Sequence, residues 1–294
     1  MKQPPYILVV NGTKVQRPVF LLGAPHSGVP EIARALSRTP GFHMSSGSPG
    51  VLNAVYAVAR RPSLASEKAA GTASLLREAY AESWHLTPLT CPRCAGRWER
   101  VPAHAASEPC EHSPKATRYG DASPDLLFSA KALQAAFPDA LFVQVIRDGR
   151  DVVAAMLDDE RSLAWLKPSF AKLEHEFPNY FFGLDDPVDL EVFGDGSVEA
   201  RCAMRWRGAV RMSAALSRDL GADRLLTLRY EDLHGGEVPA ARKLREFTGV
   251  RVSATELVIK GSWRVGAWRD RLTRDQHGDV VEVAGVELSR LGYR

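Results

Sequence analysis

Cys91-Pro92-Arg93-Cys94, followed by Cys110-Glu111-His112, is the densest group of metal-ligating residue types in the chain. A CxxC knuckle presents two thiolates to one ion, and Cys110 with His112 completes a tetrahedral Cys₃His set. His104 and His85 are substitutes for the fourth ligand. Zinc is the default ion for such donors. Four protein ligands close the coordination sphere, so the expected role is structural. The surrounding segment is rich in Pro, Gly, Ser and Ala, and a metal would supply the folding free energy that its small core lacks. The alternative is a set of reduced, unliganded cysteines. The remaining cysteine of the four, Cys202, stands alone in a helical stretch and reads as a buried apolar residue.

A second group suits anion chemistry. Gly23-Ala24-Pro25-His26-Ser27-Gly28-Val29-Pro30 joins an apolar run to a helical pattern. Its glycines have Walker-like spacing, but Val29-Pro30 stands where a phosphate-binding lysine and a magnesium-binding hydroxyl must follow, which excludes an ordinary P-loop NTPase. The backbone logic remains: a glycine-bearing turn aimed at a helix N-terminus offers free N–H groups to an anion. The bland alternative is a plain strand–helix turn.

The elements around these groups follow from periodicity. Tyr6–Val10 and Thr13–Val15 flank Asn11-Gly12, a hairpin signal. Arg17–Leu22 reads as a buried strand, and Ile32, Ala35 and Leu36 carry helical spacing. Pro30 falls in the first helical turn, where proline is tolerated. Helix is expected over Val51–Trp84, Pro124–Ala136, Asp151–Leu157, Glu199–Leu220 and Val238–Phe247. Further strands are expected at Ala140–Ile146 and Arg224–Arg229. Residues 85–114 break the pattern as an insertion. Asp158–Gly196 has no clear period and reads as a lid or substrate-facing segment. Strands alternating with helices imply an α/β fold on a mainly parallel sheet, with ligands beyond the strands' carboxyl ends.

Length and composition set bounds. The chain has 294 residues, is 45% apolar and 25% charged, and carries a net charge of +3. That is the balance of a globular protein, not of a disordered or fibrous one. No apolar run approaches the ~20 residues of a membrane helix. The N-terminus lacks the pattern of a signal peptide, so a cytoplasmic location is expected. The charge is too small to argue for nucleic acid, and Glu99, Glu108 and Glu111 interrupt the basic residues around the cysteines.

Further segments complete an ordered set. Gly120-Asp121-Ala122-Ser123-Pro124 follows the first loop. Ala140–Ile146 runs into Arg147-Asp148-Gly149-Arg150-Asp151-Val152. Arg224–Arg229 runs into Tyr230-Glu231-Asp232-Leu233. Gly261-Ser262-Trp263-Arg264-Val265-Gly266 comes late. Over roughly Arg17–Leu272 this order resembles the sulfotransferases that use 3′-phosphoadenosine 5′-phosphosulfate (PAPS), in their bacterial branch. The resemblance implies an α/β, P-loop-like three-layer sandwich with a mainly parallel central sheet. It would form a single domain over residues 1–294, with residues 85–114 as a small metal-binding insertion.

The resemblance also implies roles. Pro25, His26, Ser27, Gly28, Val29 and Pro30 match the loop around the 5′-phosphosulfate. Arg147 matches the arginine that holds the 3′-phosphate, for which a guanidinium is suited; its alternative is a surface ion pair with Asp148 or Asp151. Tyr230 matches a residue near the adenine, its alternative being a sheet-end tyrosine of the core. Arg264 and Gly266 match the late loop over the 3′-phosphate. Trp263 and Trp268 read as packing residues, and Asp121 as a structural residue beside the site. The implied reaction is in-line sulfuryl transfer to a hydroxyl or amine of a small molecule, such as a secondary metabolite, leaving the desulfated product PAP. Positioning and charge stabilisation carry such chemistry.

The departures fall on the chemistry. His26 replaces the family's Arg or Lys, as a charge stabiliser, an acid–base group or the remnant of a lost cation. Val29-Pro30 replaces Thr-Thr, Ala155 a serine and Ala122 a lysine. In protein-tyrosine sulfotransferases a Glu base lies some twenty residues after the loop cation; here that distance reaches Ser45-Ser46-Gly47-Ser48, with His43 the nearest titratable group. The competing class is therefore a non-catalytic or repurposed sulfotransferase-fold protein that binds another ligand or a protein partner. The sequence carries no readable code for the acceptor or for oligomeric state.

Overall fold

The computed structural model describes residues 7–66, 69–88, 91, 94, 108, 110, 116–167, 176–233, 239–257 and 264–294. Strand β3 (Val19–Gly23) sends Val19 and Leu21 into one apolar cluster and Phe20 and Leu22 into another on the opposite face. A strand buried on both faces belongs inside a parallel sheet covered by helices. Its parallel neighbours are β5 (Arg118–Asp121) and β6 (Leu141–Ile146). β4 (Phe42–Ser45) and β7 (Leu225–Arg229) form the edges, giving the order β4-β5-β3-β6-β7. Sequence periodicity showed three of these five strands. β4 and β5 are only 4 residues each, too short for an alternating pattern to stand out.

Gln144 is the polar residue buried within β6. Its Nε2 donates to Thr227 Oγ1 at 2.6 Å and to Ser217 Oγ at 3.2 Å, which offsets the cost of burying the amide nitrogen. A separate hairpin of β1 (Val9–Val10) and β2 (Thr13–Lys14) turns at Asn11-Gly12, both with positive φ, as the Asn-Gly signal predicts.

Helices α1 (Val29–Ser37), α2 (Pro49–Arg60), α3 (Ser63–Ser66), α4 (Ala69–Trp84), α5 (Ala130–Ala136) and α6 (Gly149–Leu157) alternate with the strands. α7 (Val188–Asp195), α8 (Val198–Asp219), α9 (Pro239–Thr248), α10 (Ala254–Leu257), α11 (Trp268–Arg271) and α12 (Arg274–Arg290) follow. Side chains of α1 and α9 pack on one sheet face; those of α2, α4, α5, α6, α8 and α12 pack on the other. The architecture is thus a three-layer α/β sandwich. Residues 126–129 form a 3₁₀ turn before α5, where sequence reading expected continuous helix. No described helix is long and apolar enough to cross a membrane.

The segment expected as a lid over Asp158–Gly196 sends an aromatic cluster into the core, while much of its described length stays exposed. Trp165, Phe181, Phe182 and Leu184 are buried, and Gly208 of α8 lies against this segment. A Cβ on Gly208 would meet the Tyr180 carbonyl oxygen at 2.0 Å. The aromatic residues had no period because they pack from irregular turns rather than from one helix or strand face.

The connections locate the ligand crevice. β3 leads through α1 to the β4 edge, whereas β5 leads across β3 to β6 and onward to β7. The direction of winding reverses between β3 and β6, and the crevice at their carboxyl ends is where such sheets bind ligands.

Candidate active site

The first loop occupies that crevice. Gly28 caps α1 with φ +103°, and a Cβ there would lie 2.6 Å from Tyr230 Cδ2. Glycine is required both by the backbone conformation and by the close approach. Val29 and Pro30 open α1, so the missing N–H of Pro30 falls among the amides that helix bonding leaves unused. His26 also has positive φ, +56°, a region that His tolerates better than most residues. Ser27 is buried, and its hydroxyl has no hydrogen-bond partner among the described residues. Pro25 is half-buried on the turn.

Arg147, at the end of β6, lies beneath this loop at 2% exposure. Its Nη1 donates to the His26 carbonyl oxygen at 2.8 Å, and its guanidinium stacks over the Tyr230 ring at 3.9 Å. Nη2 lies 3.7 Å from Asp151 Oδ2, an ion pair too long to be a hydrogen bond. Nε and Nη2 have no hydrogen-bond partner among the described residues. The sequence alternative of a surface ion pair is therefore only half right: Asp151 is the partner, and the pair is fully buried. Tyr230 is buried, and burial pushes its hydroxyl up to about 12, so it stays a neutral phenol. It serves as the floor between Gly28 and Arg147.

Asp151 organises the late turn. Its Oδ2 accepts the Gly266 N–H at 2.8 Å and its Oδ1 accepts the Trp268 N–H at 2.9 Å. Gly266, φ +76°, is therefore tied to the same carboxylate that faces Arg147. Arg264 is exposed and pairs with Asp270. Trp268 stacks on His277 at 4.7 Å and beneath the Arg150 guanidinium at 4.4 Å, which makes it a packing residue as expected. Trp263 lies outside the described residues. Sequence reading missed Asp151 as a ligand of the turn; its signal was the second acid of Arg147-Asp148-Gly149-Arg150-Asp151. Glu231 was missed too. It accepts from the Asp148 N–H at 3.0 Å and the Tyr293 hydroxyl at 3.1 Å, joining β6, β7 and the C-terminus.

Asp121 lies at the end of β5, wholly buried. It accepts from the Ser45 hydroxyl at 2.6 Å and the Ser123 N–H at 2.8 Å, the structural role read from the sequence. Burial raises its carboxyl above the ordinary value. His43 packs against Tyr119 on the β4–β5 edge, with Nε2 buried, and burial lowers its proton affinity. It sits on an edge strand separated from β3 by β5 and does not join the first loop. Ala155 is buried in α6.

His26 meets a segment that carried no sequence signal. Its Nε2 lies 2.6 Å from Ser162 Oγ, and the Ser162 hydroxyl lies 3.2 Å from Asp159 Oδ2. Burial lowers the proton affinity of the imidazole; Asp159 opposes this, and Arg147 and Arg161 reinforce it.

The cysteines converge. The Sγ atoms of Cys91, Cys94 and Cys110 all lie within 4.8 Å of one another. The Cys94 N–H donates to the Cys91 carbonyl at 3.0 Å, the knuckle turn, and the Cys110 N–H donates to the Leu86 carbonyl at 2.8 Å. Tetrahedral zinc with Zn–S bonds of 2.3 Å sets sulfurs about 3.8 Å apart, so the cluster fits an ion after small rotamer changes. His112 and His104 lie outside the described residues, as does most of the 85–114 insertion.

A family model described as "Sulfotransferase family" matches residues 18–254. The chain belongs to the sulfotransferase family. No curated protein matches it significantly. Among solved structures, the sulfotransferase domain of the Synechococcus PCC 7002 olefin synthase is similar at 15% identity and TM-score 0.47, covering 92% of this chain and 95% of that one. A sulfotransferase from Alicyclobacillus acidocaldarius is similar at 14% identity and TM-score 0.45, covering 94% of each chain. One from Mycobacterium tuberculosis H37Rv has 16% identity and TM-score 0.44, with 91% of this chain and 77% of that one covered. Asp151 joins the late turn to Arg147.

Proposed function

We propose that this sulfotransferase-family chain transfers a sulfuryl group from PAPS to a hydroxyl or amine of a small molecule. The observation that carries the reading is a set of buried donors with no hydrogen-bond partner among the described residues, at one place: Arg147 Nε and Nη2 and Ser27 Oγ, around a left-handed loop at the α1 N-terminus. Buried polar atoms are almost always paired, so unpaired donors at a crevice fit an anionic ligand. When bound, PAPS supplies an activated sulfuryl group on a phosphate leaving group. The chain's own work is positioning and charge. Arg147 offers Nε and Nη2, which hydrogen-bond to no described residue, to phosphate oxygens and holds the loop through the His26 carbonyl. Ser27 and the amides at the α1 N-terminus take the 5′ end of the donor. Tyr230 and Gly28 fix the floor, and Arg264 and Gly266 border the 3′ end. His26 faces the developing negative charge of the leaving group as a cation.

The insertion carries a structural zinc ion in this reading, held by Cys91, Cys94 and Cys110 with His112 as fourth ligand. It would tie the end of α4 to the segment leading into β5.

Calorimetric titration of zinc-replete protein with PAP, beside ATP and sulfate, tests the reading. PAP-selective binding that weakens by at least about a hundredfold in Arg147→Ala is expected, from two charge-assisted hydrogen bonds. No PAP binding at millimolar concentration would overturn it in favour of a repurposed fold.

A further inference from the structure

The loop histidine is held from outside its own loop. Asp159 caps the 3₁₀ segment Glu160–Leu166, accepting the Arg161 N–H at 3.1 Å and Arg161 Nε at 3.2 Å. Ser162 stands one turn further on, its hydroxyl 3.2 Å from Asp159 Oδ2 and 2.6 Å from His26 Nε2. The carboxylate itself is 3.9 Å from Nε2. Residues more than 130 positions apart thus form a continuous chain, imidazole to hydroxyl to carboxylate.

One order of donors makes both contacts hydrogen bonds. An ionised carboxylate only accepts. Asp159 is ionised at neutral pH: partial burial raises its carboxyl, but the hydrogen bonds from Arg161 and Ser162 outweigh that and hold it below the ordinary value. With both bonds made, the single Ser162 hydrogen goes to Asp159, and the Ser162 oxygen accepts from His26 Nε2–H. Neutral His26 is then the Nε2–H tautomer, with its lone pair on Nδ1.

We propose that Asp159 and Ser162 are positioning residues that act through His26, fixing its Nε2–H tautomer so that the ring takes its second proton at Nδ1 and becomes the loop's cation. This rests on the reading of His26 as the group that faces donor charge. It explains how an imidazole stands where other members carry a permanent cation. Lysine or arginine needs no counter-charge to stay ionised, whereas a half-buried imidazole between Arg147 and Arg161 does. Asp159 is an acid whose charge raises the proton affinity of the ring, against Arg147 and Arg161, which lower it. The hydroxyl passes its influence on at hydrogen-bond distance. The step moves only a proton, from solvent to Nδ1, and no bond to a heavy atom changes.

Nitrogen-15 NMR of histidine-labelled, nucleotide-free protein tests this between pH 5 and 8. The chain has 8 histidines, and the His26 signals are those lost in His26→Gln. Expected are ring shifts of the Nε2–H tautomer in the wild type, and a mixture of tautomers in Ser162→Ala. Ser162→Thr, which keeps the hydroxyl, is expected to restore the single tautomer. Asp159→Asn keeps an N-cap acceptor while removing the charge, so the segment stays folded and the His26 titration midpoint moves to lower pH. An Nδ1–H tautomer in the wild type, or a midpoint unmoved by Asp159→Asn with Ser162→Ala unchanged in tautomer, would overturn the proposal. No nucleotide is present, so these outcomes stand apart from whether PAP binds.

Discussion

Asp151 connects two parts of the site that are more than a hundred residues apart, and Asp151→Asn isolates that connection. The wild-type side chain is fully buried, with one oxygen on the Gly266 N–H at 2.8 Å and the other on the Trp268 N–H at 2.9 Å. Asparagine has a single carbonyl oxygen. Its NH₂ must then face a backbone N–H, so one bond is lost and a donor is left opposing a donor. A hydrogen bond to a charged group contributes about 1.5–3 kcal/mol. The substitution also removes the counter-charge 3.7 Å from the Arg147 guanidinium, and breaking a buried pair costs about 3–5 kcal/mol. The effects overlap, because Arg147 keeps its bond to the His26 carbonyl, so the expected loss is about 3–5 kcal/mol in total. Urea unfolding measures it. Limited trypsin digestion at Arg264 and Arg269 reads the turn directly and should accelerate. A loss below about 1 kcal/mol, in the range of an exposed pair, with unchanged cleavage would refute the view that Asp151 holds the turn and Arg147 together.

Other outcomes follow from the same geometry. Gly208→Ala puts a Cβ 2.0 Å from the Tyr180 carbonyl and 3.1 Å from Gly183 Cα, contacts with backbone that cannot swing aside. Urea unfolding should show destabilisation at or above the upper end of the ~1–3 kcal/mol range for overpacking, and an unchanged midpoint would contradict the close approach. Burial lowers the proton affinity of His26 and His43 in the folded state, so the unfolded chain binds more protons just below the ordinary histidine value. Their contribution to stability is complete above about pH 6.5 and falls as pH drops through the window down to their folded values; His43→Gln should flatten the slope between pH 7.5 and 5.5. Cys91→Ser should cut zinc, measured by elemental analysis, from about one equivalent to less than half. Cys202→Ser should leave zinc unchanged, because that thiol is buried in α8 with its pKa pushed up to about 12.

Much of the fold was legible because its strands and helices carry local patterns. The Asn11-Gly12 hairpin, the buried runs of β3, β6 and β7, and the inward residues of α1 and α8 each appear within a short window. Ile32, Ala35 and Leu36 are all buried, as helical spacing required. On α8, Met204, Ala209 and Leu216 are buried at helical spacing, whereas Met212 is half-buried at the margin. The CxxC knuckle was legible for the same reason, since Cys91 and Cys94 share one turn.

Partners distant in sequence were not legible. Nothing in Asp159 or Ser162 marks them as neighbours of His26, and nothing in Asp151 names the amides of Gly266 and Trp268. Such contacts depend on where the sheet carries each loop, and hydrogen bonding between remote segments leaves no period to read. By itself the sequence determined the layered α/β class, the family motifs, the glycine-bearing loop and the cysteine spacing, all set by residue type at short range. Only the tertiary structure decided that Arg147 is buried under the loop rather than paired on the surface, and that His26 is held by Ser162, beside Asp159. It also decided that Asp158–Gly196 supplies core aromatics. Those outcomes turn on burial and on the direction of side chains between strands, which chain order does not encode.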